Sequence, residues 1–359
     1  MTPPHTITHH VSRFTFDANG RPVFLQPSEV GIAMKTLKKL LVNPTSLTGI
    51  LLLLAFAVIA VTAPWIAPPP ENARDPYMIP REGFGSAPRS PSEAHQFGTT
   101  EGQYDIYYGV VWGTRTAFRV GMVITIFTAI IGLSIGSISA YYGGWIDELL
   151  MRITEIFQAF PFLLAAITLT SVLQTIYGRG EAGLLMFLAK LLALVTFGHN
   201  PTQPVDPIQL QMLTGMLAII TFGWMTYARV IRGNILAVRE LEYVMAARTI
   251  GATNMRILLL HLLPNSVFPV LVIASMNIGS HVLNFAALSF LGLGAQRGYA
   301  DWGQMINFAR NWIPSLADHW YIVAFPGAAI VLFVLAWNLV GDVLRDTLDP
   351  RMRGKGGGL

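Results

Sequence analysis

Long uncharged apolar segments recur along the chain, separated by stretches in which polar and charged residues are concentrated. An α-helix of about 20 apolar residues crosses roughly 30 Å of hydrocarbon, so each such segment is a candidate membrane span. Six segments of suitable length contain no Asp, Glu, Lys or Arg: residues 47–66, 120–145, 156–176, 210–227, 262–283 and 320–340. The pattern predicts an all-α polytopic membrane protein with six transmembrane helices.

Two local features are predicted inside these spans. Phe160 and Pro161 predict a kink in the third span, because proline lacks the N–H that continues a helical ladder. Gly132 and Gly136 in the second span have the GxxxG spacing that lets two helices approach closely. That close contact lies either within the chain or at a seam with a second subunit, and we favour a contact within the chain.

A seventh apolar run, residues 183–197, is short for a span and contains Lys190, so it is better interpreted as an interfacial or re-entrant helix. Six crossings place both termini on one face. If that face is the cytoplasm, it carries most of the 24 Lys and Arg residues, in agreement with the positive-inside rule. A seventh crossing would break this asymmetry. The sequence therefore predicts cytoplasmic N- and C-termini.

This topology divides the chain into three parts. Residues 1–44 form a cytoplasmic N-terminal arm, 45–345 a transmembrane domain and 346–359 a cytoplasmic C-terminal tail. The transmembrane domain has an extracytoplasmic loop at 67–115, an extracytoplasmic insertion at 177–209 and a cytoplasmic loop at 232–260. The first of these is rich in Pro, Gly and Ser and is expected to be an ordered loop.

The composition agrees with a membrane protein and narrows its chemistry. Only 12% of the residues are charged, against about 25% in soluble domains. The absence of cysteine excludes disulfides, thiolate metal ligands and thiol nucleophiles. The net charge of +4 is assigned to Lys and Arg beside the membrane and not to nucleic-acid binding. His5, His9 and His10 lie in a polar arm without a second ligand cluster, so no metal site is predicted.

One charged segment between two apolar runs, LEYVMAARTIGATNMRILLLHLLPN at 241–265, stands out. Glu242, Arg248 and Arg256 would each cost about 3 kcal/mol at the bilayer centre, so the segment faces water, on the cytoplasmic side. The pattern predicts a short helix, a turn and a second helix leading into the next span.

Small residues recur on one side of this predicted helix. Val244, Ala247 and Gly251 form one stripe, and their small side chains are expected to let another surface come close. Gly251 is expected to end the helix with a positive φ. Pro264 is expected to start the following span, where its missing N–H does no harm.

The segment resembles the EAA loop of ABC importer permeases, in the branch for dipeptides, oligopeptides and nickel. The resemblance implies a type I ABC importer permease fold, in which this loop forms a coupling helix that docks in a groove of a cytoplasmic ATPase. The residues that it assigns to ATPase coupling are Glu242, Tyr243, Ala246, Ala247, Arg248, Gly251, Ala252, Ile257 and Pro264. Met245 stands where many of these permeases have the acidic residue that names the motif.

Other motifs extend the resemblance over roughly residues 43–351. They include YYGGWIDELLMRITEIFQAFPFLLAAI, LSFLGLGAQ, DWGQMI and LAWNLVGDVLRDTLDPR. The element before the second span departs from the family pattern at Thr100, Gln103 and Tyr104. Asp301 and Trp302, in DWGQMI, either contact cargo or a binding protein or serve the structure of the loop.

The resemblance implies a permease subunit and not an enzyme. No G-x-x-x-x-G-K-[ST] phosphate loop is present, so ATP and Mg are expected in partner subunits and no cofactor in this one. The implied partners are a second homologous permease subunit, two cytoplasmic ABC ATPase subunits, an extracytoplasmic solute-binding protein, a peptide-like solute and membrane lipid, with no nucleic acid. The implied location is the cytoplasmic (inner) membrane of a bacterium or archaeon.

Two other classes of protein were weighed against this one. A secondary transporter driven by protons or sodium usually has ionisable residues in its spans, which the six predicted spans lack. A membrane-embedded hydrolase needs a grouping of catalytic side chains that the sequence does not indicate. ATP-driven import is therefore favoured. Peptides are the favoured solute, ahead of nickel chelates and oligosaccharides.

Overall fold

The computed structural model describes residues 14–16, 22–24, 44–83, 85–178, 183–198, 200 and 205–348. The three N-terminal histidines and the predicted tail from residue 349 lie outside the described residues. By its internal contacts the chain divides into an N-terminal unit, Met1–Leu47, and a larger unit, Thr48–Leu359. The N-terminal unit contains a short antiparallel pair of strands, β1 (Phe14–Phe16) and β2 (Pro22–Phe24), with Phe14 opposite Phe24. The apolar pattern did not predict this hairpin.

All other described elements are helical. The α-helices are α1 (Pro44–Ile66), α2 (Ile106–Tyr142), α3 (Gly144–Ala159), α4 (Phe162–Gly178), α5 (Gly183–Phe197), α6 (Pro207–Gly223), α7 (Met225–Val238), α8 (Glu242–Thr249), α9 (Asn254–Ile257), α10 (Leu263–Ser266), α11 (Phe268–Phe290), α12 (Trp302–Asn307) and α13 (Tyr321–Leu348). A π-helical turn, Leu258–Leu262, joins α9 to α10, and a 3-10 helix, Phe308–Ser315, follows α12.

Five helical segments of the described chain are long and apolar enough to cross a membrane: α1, α2, α6 together with α7, α11 and α13. The pair α3 and α4 supplies a sixth if it counts as one span, although the two helices are bent by 90°. Phe160 and Pro161 occupy the break, so the predicted kink is confirmed. The apolar helix α5 is shorter than these spans.

The start of α2 differs from its prediction. Asp105 caps this helix, because its Oδ1 accepts a hydrogen bond from the Tyr108 backbone N–H at 2.8 Å. Residues 106–115, predicted as the end of the extracytoplasmic loop, are therefore helical. The extension also brings Arg115 and Arg119 into α2, although the span as predicted from residue 120 contained no charge.

Three other boundaries also differ. Gly143, with φ of 64°, ends α2 and separates it from α3, whereas the prediction carried the span to residue 145. Helix α7 runs on to Val238, so residues 232–238 of the predicted cytoplasmic loop are helical. The long helix α11 starts at Phe268 and not at residue 262. Apolar length located these spans, whereas the Asp105 cap and Gly143 set the two ends of α2.

Helices α2 and α7 pack closely against each other. A Cβ added at Gly136 would overlap the carbonyl oxygen of Ala228, and one at Gly132 would lie 2.5 Å from Cβ of Tyr227. Only glycine lets the two backbones approach this closely. The GxxxG pair therefore makes its contact within the chain, as favoured from the sequence.

The segment between α1 and α2 is an ordered loop tied to the α12 region by one carboxylate. Glu101 accepts hydrogen bonds from Arg297 Nη2 at 3.1 Å, Asn311 Nδ2 at 2.9 Å and Trp312 Nε1 at 3.2 Å. Charge-assisted hydrogen bonds of this kind are stronger than neutral ones. They connect positions about 200 residues apart in the sequence.

Asp301 and Trp302 serve the structure of this region. Both are buried. Asp301 caps α12 by accepting a hydrogen bond from the Gln304 N–H at 2.9 Å. The Trp302 indole packs on Gly113 and donates from Nε1 to the Val110 carbonyl at 3.1 Å. Of the two alternatives drawn from the sequence, this arrangement supports the role in loop structure.

Replacement of Gly136 by alanine tests the α2–α7 contact. The added methyl group overlaps the α7 backbone, so we expect the free energy of unfolding to fall by about 1–3 kcal/mol. The matched control is Gly233→Ala in α7, where nothing lies within 4 Å of the added Cβ. The stability of both variants is compared through their apparent melting temperatures in detergent. Equal melting temperatures for the two would contradict the proposed close approach.

Asp301 gives a pH-dependent prediction. Burial raises the pKa of its carboxyl group from 3.8 to about 6. Between these values the unfolded chain releases the proton while the folded chain keeps it, so the free energy of unfolding falls as pH rises, by up to about 3 kcal/mol. Asp301→Asn keeps a cap acceptor and should remove this part of the pH dependence. The free energy of unfolding of both proteins is measured between about pH 4 and pH 7. A pH profile of Asp301→Asn equal to that of wild type would disprove the raised pKa of Asp301.

Candidate coupling surface

The segment 241–265 folds as the predicted helix, turn and helix. Helix α8 ends in a Schellman motif, in which Ala252 N–H donates to the Ala247 carbonyl at 3.1 Å and Gly251 N–H to the Arg248 carbonyl at 3.0 Å. Gly251 has φ of 78°, so its predicted positive φ is confirmed. The turn directs the chain from α8 into α9 and back towards the bundle.

The inner face of this segment packs on the chain itself. Val244 is 0% exposed, and Ala247 and Ile257 are also buried. They join a hydrophobic cluster with Ile231 and Ile235 of α7. The expectation that Val244 and Ala247 let another surface come close is therefore wrong, since these side chains fix α8 to its own bundle. A helical stripe of apolar residues marks a buried face without stating which molecule buries it.

The outer face carries large apolar side chains. Tyr243, Met245, Ile250 and Met255 are exposed, and Ile250 is 84% exposed. We call these four residues the exposed apolar set. Large exposed apolar groups beside charged residues mark surfaces for protein interaction. No contact role was assigned from the sequence to Ile250 or Met255. The signal that could have indicated Ile250 is its position off the Val244 stripe.

The residues assigned to coupling by resemblance fall into two groups. The exposed ones are Glu242, Tyr243, Ala246, Arg248, Gly251 and Pro264. Ala247 and Ile257 are buried and Ala252 is half-buried. The first group is available to a partner, whereas the second positions the helix. Glu242 also lies in the first turn of α8, where a carboxylate is favoured by the helix dipole.

Side-chain contacts connect the turn to the end of α2. The Tyr141 hydroxyl donates to Asn254 Oδ1 at 2.7 Å, and the Arg248 guanidinium lies 5.9 Å from the centre of the Tyr141 ring. Arg239, just after α7, donates from Nη1 to the Ala140 carbonyl at 3.0 Å. The helix pair is thus attached to α2 by polar contacts as well as to α7 by apolar packing.

A bidentate ion pair attaches α3 to the same end of the bundle. Arg232 of α7 donates from Nε to Asp147 Oδ1 at 2.6 Å and from Nη2 to Asp147 Oδ2 at 2.5 Å. The Ser139 hydroxyl donates to the same carboxylate. Bidentate arginine pairing fixes geometry as well as charge, so α3 follows α7 at this point.

The π-helical turn, Leu258–Leu262, follows α9 directly. Leu263 N–H donates to the Leu258 carbonyl, five residues back. Pro264, which has no N–H, lies in the first turn of α10, and Asn265 Nδ2 donates to the His261 carbonyl at 2.6 Å. A π-turn relieves the clash that a proline ring would make one α-turn earlier. Pro264 therefore lies at the start of the short helix α10, whereas the span that it was predicted to start begins at Phe268.

The described residues of this region offer a packing surface. Across the described part of the chain, no group of three or more His, Asp or Glu side chains is placed to hold a metal ion. The described chain thus combines helices long and apolar enough to cross a membrane with a short helix that presents exposed apolar side chains, the architecture of a multi-pass membrane protein.

Family models identify the chain within this class. The model described as "Binding-protein-dependent transport system inner membrane component" matches residues 132–354. A second model, the N-terminal transmembrane domain of oligopeptide transport permease C, matches residues 34–88. The chain therefore belongs to the family of binding-protein-dependent transport system inner membrane components, and the predicted resemblance and permease fold are confirmed. This family is one of transport permeases and not of enzymes.

Three curated relatives are similar over most of the chain. A dipeptide transport system permease protein of Alkalihalophilus pseudofirmus is 33% identical over 321 residues, covering 89% of this chain and 90% of the relative. A probable D,D-dipeptide transport system permease protein of Escherichia coli K12 is 33% identical, covering 87% and 90%. A glutathione transport system permease protein of Escherichia coli O6:K15:H31 is 35% identical, covering 86% and 87%.

Substitution of Gly251 tests the turn. A Cβ at this position meets no atom within 4 Å, so a side chain is opposed by the backbone and not by contact within the chain. Valine at φ of 78° is strained by about 1–2 kcal/mol, whereas asparagine tolerates this region. Gly251→Val is expected to speed hydrogen exchange across residues 242–257, and Gly251→Asn to leave it near wild type. Equal exchange in both variants would contradict the Schellman assignment.

Proposed function

We propose that the chain is the permease subunit of an ATP-driven importer of small peptide-like solutes, delivered by an extracytoplasmic binding protein. The support for the solute class comes from the relatives, whose names specify dipeptides, D,D-dipeptides and glutathione. All three are short peptides. Import rests on the matched family, which is described as binding-protein-dependent transport.

The second part of the proposal is that α8 docks on a cytoplasmic ATPase subunit. The observation that carries it is the exposed apolar set on α8, on the turn after it and on α9, while the opposite face of α8 is buried against the bundle. Ile250, at the tip of the turn, leaves most of its surface to solvent, which is costly unless a partner covers it. A helix presented in this way suits a groove on a partner.

ATP and Mg belong, in this proposal, to two partner ATPase subunits, and a second homologous permease completes the pathway. Both termini and α8 lie in the cytoplasm of a bacterium or archaeon, and the chain resides in its inner membrane. The charge distribution supports this orientation, because the segment between α7 and α10, which carries α8, contains Arg239, Arg248 and Arg256.

The contacts around α8 suggest how a movement of the ATPase reaches the spans. Val244 packs on α7, and Asn254 is hydrogen-bonded to Tyr141 at the end of α2. Helices α2 and α7 are themselves in backbone contact at Gly136. A displacement of α8 therefore moves both helices together. Packed elements of this kind transmit motion as rigid bodies.

Ile250→Asp tests the docking surface. A charge in place of this side chain should weaken retention of the ATPase subunits by at least about tenfold, because an apolar anchor is lost and a carboxylate is desolvated. The matched control is Ile313→Asp, since Ile313 is 63% exposed and lies in the 3-10 helix after α12. Co-purification in detergent measures retention, and dipeptide uptake into proteoliposomes measures function.

The expected result is that Ile250→Asp loses both the ATPase subunits and ATP-dependent uptake while Ile313→Asp keeps the ATPase subunits. Normal retention by Ile250→Asp would reject α8 as the docking surface. Dipeptide uptake by the wild-type complex that continues without ATP would reject the proposed function as a whole.

A further inference from the structure

A cavity of about 790 Å³ lies away from the coupling surface. It is bounded by residues 70–80 of the loop after α1, by α2, by the end of α5 and by the start of α6. The volume falls within the range of small-molecule sites, roughly 300–1,000 Å³. Part of its wall comes from the insertion 177–209, for which the sequence indicated no role. The described residues of the insertion thus help to form the cavity wall.

Two cationic residues line the cavity, Arg74 and Arg119, and Arg119 is the one on α2. It is half-buried, and its Nη2 donates to the Tyr77 hydroxyl at 2.6 Å. Its guanidinium also lies 4.5 Å from the centre of the Tyr77 ring and 5.2 Å from that of Phe197. Among the described residues, no carboxylate oxygen lies within 4 Å of this group. A guanidinium has five donors, so Arg119 retains donors for an anion that enters the cavity.

Two carboxylates also line the cavity, and each accepts a hydrogen bond from a backbone N–H. Asp75 Oδ1 accepts from the Tyr77 N–H at 2.9 Å, and Asp206 Oδ1 accepts from the Ile208 N–H at 2.8 Å. Within the described chain, neither aspartate is paired with Arg119. The cavity therefore presents fixed charges of both signs that do not neutralise each other by contact.

Aromatic rings also line the cavity. Tyr77 and Tyr299 both line the cavity, and their rings are stacked with centres 5.6 Å apart. Burial raises the pKa of the Tyr299 hydroxyl, so this group stays neutral. A cavity with a few fixed charges and apolar aromatic walls suits a small zwitterion with short side chains.

We propose that this cavity binds a small zwitterionic peptide, with the peptide carboxylate on Arg119 and its ammonium group on the side of Asp75 and Asp206. The proposal rests on the proposed function, because it names a binding site for the same class of solute. An arginine fork recognises a carboxylate through paired hydrogen bonds, and the two carboxylates that line the cavity favour an ammonium group. The site would hold the solute before it enters the spans.

The test measures equilibrium binding of alanylalanine to the full complex in nanodiscs, without ATP and without binding protein. Two blocked probes accompany it: alanylalanine amide, which lacks the carboxylate, and N-acetylalanylalanine, which lacks the ammonium group. Wild type should bind the amide at least about tenfold more weakly than alanylalanine, the usual effect of losing a charge-assisted hydrogen bond.

Arg119→Gln should bind alanylalanine as weakly as wild type binds alanylalanine amide. This variant should therefore no longer distinguish alanylalanine from its amide. The matched control is Arg115→Gln. Arg115 lies one turn earlier on α2, stacks on the Trp112 ring at 5.1 Å and does not line the cavity. This control should keep the discrimination of wild type. Loss of discrimination in the Arg119 variant alone would separate recognition of the carboxylate from a general effect on folding.

Asp206→Asn provides a second variant that preserves the cap of α6, because asparagine also caps helices. It should reduce the preference for alanylalanine over its N-acetyl form. If Arg119→Gln does not fold, this variant decides the proposal. The absence of saturable binding to wild type, or discrimination unchanged in Arg119→Gln, would overturn it. Because binding is measured without ATP, such a failure leaves ATP-dependent uptake, and with it the proposed function, to be judged separately.

Discussion

Backbone contact between α2 and α7 is the constraint on which the rest of this structure depends. Gly132 and Gly136 remove two side chains from α2, so that the backbone of α7 lies against it. Hydrocarbon solvates apolar side chains as well as another helix does, so close packing must supply the attraction between spans. The segment 241–265 is attached to these same two helices, because Val244 packs on α7 and Asn254 is hydrogen-bonded to Tyr141 of α2.

Much of this fold could be predicted from the sequence because the bilayer imposes a simple requirement. Uncharged runs of sufficient length located the spans, Pro161 located the break, and the GxxxG pair located the close contact. Helix ends were less accurate. Asp105 begins α2 within a region rich in loop-forming residues, and the cap that it makes depends on three-dimensional geometry that a hydropathy pattern does not contain.

The candidate sites were predictable to different degrees. The positive φ of Gly251 follows from its position after a short helix, since few other residues adopt that conformation. The direction of the Val244 stripe did not follow, because periodicity shows that a face is buried and does not show against what. Arg119 and Tyr77 are 42 positions apart, so only the folded chain brings that guanidinium and that hydroxyl together.

The elbow at Pro161 makes α3 a lever. Asp147 lies about 13 residues from this pivot, which corresponds to an arm of roughly 20 Å at 1.5 Å per residue. Its carboxylate accepts two hydrogen bonds from Arg232 of α7. A sideways shift of about 3 Å at Asp147 would rotate α3 by roughly ten degrees about Pro161. Proline lacks the N–H for one backbone hydrogen bond that would resist this rotation. A modest translation at one end of the bundle is thereby converted into rotation at the base of α4.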